Sequence, residues 1–182
     1  MNALKDKLYR NITTITGHNN LLDQTKQAIE YATTELHTSQ FFDKDKQAFF
    51  VDLTKLSKSC DNMYEINFSL MGNVRRIITA GMQYSDNTFI VIPVVNSYIE
   101  FMRDSRLDYA VIVNNSIIFR SARPNPKAIV LESLLYPNVS DDAYSSWIAE
   151  NYSSVVIEKV AYRILSDIGD KSANYHLRLY EE

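Results

Sequence analysis

Arg123-Pro124-Asn125-Pro126, the apolar run Ala128–Leu135 and Tyr136-Pro137 form the stretch that decides the fold. Proline cannot donate to a sheet ladder, so an aliphatic run bounded by prolines reads as one strand with defined ends. Downstream the period changes. Ala143, Trp147, Ile148, Tyr152, Val155, Val156, Val160, Ile164 and Ile168 recur at three- and four-residue spacing. This predicts one long helix with an apolar stripe over about seven turns. Ser140, Asp141 or Asp142 would cap it, acidic residues suiting its positive end. Gly169, within Asp167-Ile168-Gly169-Asp170, would stop it as the residue after the C-cap. A shorter helix, Lys171–Tyr180, follows.

Upstream the patterning is mixed. Leu4, Leu8, Ile12 and Ile15 fit a helix over Met1–Thr16, weakened at its end by Thr13, Thr14 and Thr16. A second helix begins after Asn19 or Asn20 as N-cap, with Leu21, Leu22, Thr25, Ala28, Ile29, Ala32 and Leu36 on one face. From Phe41-Phe42 onward period-two patterning takes over. Ala48–Leu56 and Met63–Leu70 read as strands with one wet face, and Val74–Met82 and Phe89–Val95 as further strands. Pro93 places the last of these at an edge or ends it early. Asn96–Arg106 suits a short helix with Tyr98, Ile99 and Met102 on one side. Two β-branched runs flank Asn114-Asn115-Ser116, a tight hairpin, because asparagine tolerates positive φ.

The expected fold is therefore α+β: a helical bundle formed by the N- and C-terminal helices, with a mostly antiparallel β-rich insert. A single domain spans 1–182, with a helical body at about 1–40 and 140–182 and the insert at about 48–137. Leu22, Ile29, Trp147, Val156 and Ile164 are its expected core markers.

Composition narrows the function classes. Of 182 residues, 46% are hydrophobic and 23% charged, ordinary for a globular chain long enough to bury roughly 70% of its surface. A net charge of −3 gives no global reason to bind nucleic acid. One cysteine, Cys60, cannot close an internal disulfide and suits a reducing compartment. Met1–Arg10 lacks a signal-peptide core and no apolar run reaches membrane-spanning length, which predicts assembly in a cytoplasm and no membrane partner. Twelve tyrosines against four glycines and four prolines favour contact surfaces, since tyrosine is enriched at interfaces.

Catalytic signatures are absent: no glycine-rich phosphate loop, nucleophile elbow or HExxH. His18, His37 and His176 have no ligand spacing and read as solvated histidines, and Asp43-Lys44-Asp45-Lys46 as a solvated turn. The expectation is a non-enzyme without cofactor or metal. Arg75, Arg76, Arg103, Arg106, Arg120 and Arg123 supply local positive charge. If Arg75, Arg76, Arg103, Arg106 and Arg120 converged on one face they would favour a small cytoplasmic regulatory or nucleic-acid-binding module.

The order of elements resembles the head-to-tail adaptor, or head-completion, family of tailed bacteriophages. An amphipathic helix (Leu21–Leu36) leads through an aromatic turn (Phe41-Phe42) to a Tyr64…Phe68 strand and a basic-apolar run, Val74-Arg75-Arg76-Ile77-Ile78. The proline-bounded strand ending in Tyr136-Pro137 follows. The closing match is the capped helix, Gly-Asp stop and short helix from Asp141 to Tyr180. The sequence departs from the family at Ile66-Asn67, where Leu-Pro is usual, and at 56–62, where a glycine-rich turn is usual. The resemblance implies a structural virion protein of the head-tail neck, a dodecameric ring beneath the portal. That ring extends the DNA channel, helps retain packaged DNA and docks the tail or the next connector protein. DNA would pass through without specific binding. Tyr175, Leu177, Leu179 and Tyr180 are the expected contacts to portal or a neighbouring subunit. The short helix carrying them either folds back on Leu21–Leu36 or stays poorly ordered until it docks, the version the resemblance favours.

Overall fold

The computed structural model of the chain describes residues 2–56, 58–60, 62–103 and 108–181. In order the elements are α1 (Ala3–Thr16), α2 (Leu22–Thr38), β1 (Lys46–Asp52), β2 (Lys58–Cys60), β3 (Met63–Asn67) and β4 (Val74–Tyr84). Next come β5 (Phe89–Ile92), β6 (Val94–Val95), α3 (Tyr98–Arg103), β7 (Tyr109–Val113), β8 (Ser116–Arg120) and β9 (Pro126–Leu135). The chain closes with α4 (Trp147–Asn151), α5 (Ser153–Asp167) and α6 (Ala173–Glu181). The fold is α+β with two antiparallel-rich sheets. It separates into two compact units: a helical one from Met1–Asp45 and Tyr136–Glu182, and a β-rich one from Lys46–Leu135.

In the helical unit, α5 contacts α1, α2, α4 and α6. Ile29, Val156 and Ile164 lie in its core with Leu8 and Ile12 of α1. The Asn2 side chain accepts the Leu4 N–H at 2.8 Å to start α1, and Gly17 ends it at φ 72°. Leu21, not Asn19 or Asn20, occupies the N-cap position of α2, with no side-chain cap. Leu21, at φ −104° and ψ 40°, packs against the core, while Leu22 in the first turn is 41% exposed and is not a core residue.

The long helix is shorter than its stripe predicts. Ser140, Asp141 and Asp142 are not the cap of this helix, because 138–145 form an irregular loop closed by an Asn138–Ser145 bridge. There the Asn138 side chain accepts from both the N–H and the hydroxyl of Ser140, a local turn that competes with helix. Ser146 is the actual N-cap, and Tyr152, at φ −134° and ψ 49°, separates α4 from α5. Ala143, Tyr152 and Ile168 consequently face solvent while Tyr144 is buried. Gly169 does end α5: its N–H meets Ser166 O, the Asp170 N–H meets Leu165 O, and φ is 73°.

In the β-rich unit one sheet runs β1-β9-β4-β5 and the other β2-β3-β8-β7-β6. Ladders are antiparallel except β6–β7. Both sheets feed one core that includes Ile66, Met82, Phe119, Ile129 and Leu131. Pro93 lies where the chain leaves the edge strand β5 and starts the edge strand β6. Two strands end early: Asp52 and Asn67 each cap a short 3-10 turn through their own side chains. The hairpin turns at Asn114, φ 53°, between Val113 and Ser116. On α3 it is Phe101 that is buried, and Tyr98, Ile99 and Met102 face outward.

Candidate functional site

The carboxy-terminal helix follows from its start signal. Asp170 accepts the Ser172 N–H at 2.8 Å and the Ser172 hydroxyl at 2.7 Å, bonds that hold its carboxyl below the usual carboxylate range. The helix that follows is formed and lies on α5, not on Leu21–Leu36 and not as a disordered tail. Ala173 and His176 are buried beneath it. His176 donates from Nδ1 to Glu158 at 2.6 Å, and Lys159 donates to the Tyr180 hydroxyl at 3.1 Å while pairing Glu35 at the same distance. Burial alone would push the Lys159 pKa down. The bonds to Tyr180 and Glu35 outweigh it and leave that pKa raised.

These anchors divide the four expected contact residues. Leu177 and Tyr180 are half-buried, and Tyr180 is engaged by Lys159. Tyr175, 61% exposed, and Leu179, 40% exposed, stand four apart on the outer face, where a helix places such residues side by side.

Helices α2 and α5 line an open groove of about 490 Å³. Its lining is mixed: Leu21, Ala28, Ile164 and Ile168 with the polar Gln24, Gln27 and Asp167. The Arg163 guanidinium sits 4.0 Å from the Tyr31 ring centroid, and both line the groove as well. Ile168 belongs to the groove because α5 ends one residue before it, so no further turn covers it.

A second apolar surface lies on the β-rich unit. Phe50, Val130, Gly81 and Val91 stand opposite one another across the four strands β1, β9, β4 and β5. Phe50 is 63% and Val91 62% exposed. The Phe89 ring folds over Gly81, where an added Cβ would come 2.2 Å from Phe89 Cζ.

One cluster inside the helical unit has a chemically suggestive order. His37 Nδ1 lies 2.8 Å from Asp45 Oδ1, and Nε2 lies 2.9 Å from Ser146 Oγ. With Asp45 ionised, Nδ1–H donates to it and the serine hydroxyl donates to Nε2, the connectivity of a hydrolytic triad. Ser146 is nevertheless 2% exposed, and its oxygen already accepts the Ala149 N–H at 3.1 Å as the cap of α4. A substrate carbonyl has no approach to it, so the relay serves to hold structure. Trp147 Nε1 donates to the same Asp45 oxygen at 2.7 Å, and its ring is half-buried at the core's margin. His37, His176 and Asp45 are therefore buried, not solvated. His37 and His176 are each matched to a carboxylate; Asp45 Oδ1 collects two N–H donors, whereas Asp45 Oδ2 is buried without a hydrogen-bond partner among the described residues. Sequence spacing could not show this, because the partners lie 8, 18 and 102 positions apart.

Arg120 is buried with its guanidinium 4.8 Å from the Phe101 ring and 5.8 Å from that of Tyr109. Arg123 lies over Tyr84. Arg106 and the side chain of Cys60 fall outside what the structure describes. Among the described residues no helix is long and apolar enough to cross a membrane, and no group of three acidic, histidine or cysteine side chains is placed to hold a metal. No family model and no curated protein matches the chain.

Proposed function

We propose that the chain is a structural subunit of a phage head-tail connector, assembling as a helical-bundle ring beneath the portal. One observation carries the reading: each unit presents its own exposed apolar surface, the α6 face and the Phe50–Val91 row. Contiguous exposed apolar patches mark association sites, and a ring subunit that also meets a portal and a tail needs more than one. The connector resemblance supplies the identity of the partners: portal above, tail or next connector below, with the DNA channel between. The burial of Arg120 weighs against the alternative of a nucleic-acid-binding module, which needed those arginines on one face.

The test is to mix the purified chain with the portal ring encoded in the same genome and measure the mass of what forms. The reading expects a complex of one portal ring with multiple copies of this chain. Two non-interacting species, with the chain binding duplex DNA at micromolar concentration and a steep salt dependence, would favour the nucleic-acid module instead.

A further inference from the structure

β1 lies at the edge of its four-stranded sheet, with β9 as its one neighbour there. It is seven residues long, Lys46-Gln47-Ala48-Phe49-Phe50-Val51-Asp52, with no proline, glycine or central charge to blunt it. Among the described residues, 47–51 make no backbone hydrogen bond outside the ladder with β9. An edge of that kind offers a row of backbone donors and acceptors to a matching strand. Gln47, Ala48 and Phe50 are exposed along it. We propose that the occupant of this edge is the same strand of a second copy, paired antiparallel about a two-fold axis through Phe49.

The first argument is charge. Lys46 opens the strand and Asp52 closes it. Paired over its full length with an antiparallel copy of itself, Lys46 falls opposite the second copy's Asp52, and Asp52 opposite the second copy's Lys46. Between them come Gln47 with Val51, Ala48 with Phe50, and Phe49 with its own copy. A two-residue shift breaks the Lys46–Asp52 match and shortens the ladder. A parallel pairing in register sets Lys46 against Lys46 and Asp52 against Asp52. Opposite charges across a strand pair stabilise it and like charges destabilise it, so the charge order selects the full antiparallel register. Asp52 keeps its own turn meanwhile, accepting the Thr54 N–H at 2.9 Å and the Thr54 hydroxyl at 2.7 Å through Oδ1.

The second argument is the apolar row. Alternation puts Lys46, Ala48, Phe50 and Asp52 on one face of β1, the face on which Phe50, Val130, Gly81 and Val91 stand in line. In the pair each Phe50 lies beside the second copy's Ala48. The two Phe50 residues become diagonal neighbours, roughly 7–8 Å apart and within reach of aromatic side chains. The ring that ends the row in one copy, 63% exposed, thereby gains a neighbour, and the row runs on into the second sheet.

The contact uses the same surface on both copies, so it closes on two and does not propagate. A ring with rotational symmetry alone contains no such axis. The pair is therefore a form of the free chain, independent of the connector reading, and it protects the edge from open-ended strand addition.

The test uses the full chain in sedimentation equilibrium over a hundredfold in concentration, with hydrogen exchange of the 46–52 amides read at both ends of the series. The proposal expects monomer and dimer only, and slower exchange in 46–52 at the upper end. Lys46→Asp alone, or Asp52→Lys alone, should raise the dimer dissociation constant about tenfold or more. Both changes in one chain should return it toward wild type. Asp52→Lys also removes the Thr54 turn, but the double variant lacks that turn too, so its recovery reads the pairing itself. A monomer at every concentration, or species that grow beyond the dimer, would overturn the proposal. So would a dimer whose 46–52 amides exchange as fast as the monomer's, or a double variant no tighter than the single ones.

Discussion

The Lys5 ammonium lies 2.6 Å from Asp141 Oδ1 and 2.6 Å from Glu30 Oε1, joining residues 136 positions apart. Lys5 is fully buried and also donates to the Val139 carbonyl at 3.0 Å, so α1, α2 and the 138–145 loop meet on one cation. A buried charge survives only when paired and hydrogen-bonded, and here three acceptors surround it. Both carboxylates keep access to water, so removing Lys5 strands the Val139 carbonyl more than it strands them. Lys5→Met should destabilise the fold by about 1–3 kcal/mol, the usual range for an unsatisfied buried acceptor, read as a lower urea midpoint.

The same site sets a pH dependence. The Lys5 hydrogen bond, helped by the charges of Lys5 and Lys26, holds the Asp141 carboxyl below its ordinary range. A group whose folded pKa is depressed stabilises the fold above its unfolded pKa, and that stability disappears as pH falls through the folded value. The urea midpoint of the wild type should therefore exceed that of Asp141→Asn at neutral pH and converge with it under acid conditions below the normal Asp range. A constant gap at all pH values would remove Asp141 from the explanation.

Trp147 is bound to Asp45 by its indole nitrogen as well as by packing, and the two contributions can be separated. Trp147→Phe keeps a ring against Phe42, whose centroid lies 5.1 Å away, but deletes the donor to a buried carboxylate. Its cost should be about 1.5–3 kcal/mol, as for a hydrogen bond to a charged group. Trp147→Ala should cost more, on the order of 3 kcal/mol or above, by adding a cavity. Equal melting temperatures for the two variants would mean the ring contributes nothing at this margin.

Gly81 and Phe89 should be coupled. Gly81→Ala forces the exposed Phe89 ring off its seat, because the added carbon would lie within 2.2 Å of it. In a double-mutant cycle, Gly81→Ala should be destabilising alone and nearly neutral in a Phe89→Ala background, with a coupling of about 0.5–1 kcal/mol. Additive effects would show that the ring does not rest there.

Much of this fold was legible because local chemistry and tertiary packing agree. Pro126 and Pro137 bracket β9, Asn114 makes the hairpin turn and Gly169 ends α5 for reasons contained in a few neighbouring residues. The failures come where a distant partner wins. Asp141 looks like a helix cap until Lys5 claims it, and the Asn138–Ser140 turn removes the first predicted turns of the helix. His37 and Asp45 read as wet residues because nothing nearby in sequence reveals that Ser146 and Trp147 close over them. The candidate surface was half legible. The spacing of the five apolar residues of α6 puts Ala173, Leu177 and Tyr180 on one side and Tyr175 and Leu179 on another, but only the contacts with Lys159 and α5 show that the second side faces out.

Those contacts change what truncation should do. Deleting 171–182 removes buried Ala173 and His176 and uncovers Glu158 and Lys159, so the remaining chain should be less stable by on the order of 2 kcal/mol, the worth of one or two charge-assisted hydrogen bonds. An unchanged melting temperature would mean α6 is dispensable to the helical unit.

Image reconstruction of the complex formed with the portal of the same genome decides whether this chain is a connector subunit. A connector subunit gives a closed ring of twelve copies coaxial with the portal, surrounding a channel that continues the portal's own. A portal ring with no added density, or copies bound singly away from the channel axis, would contradict the connector reading.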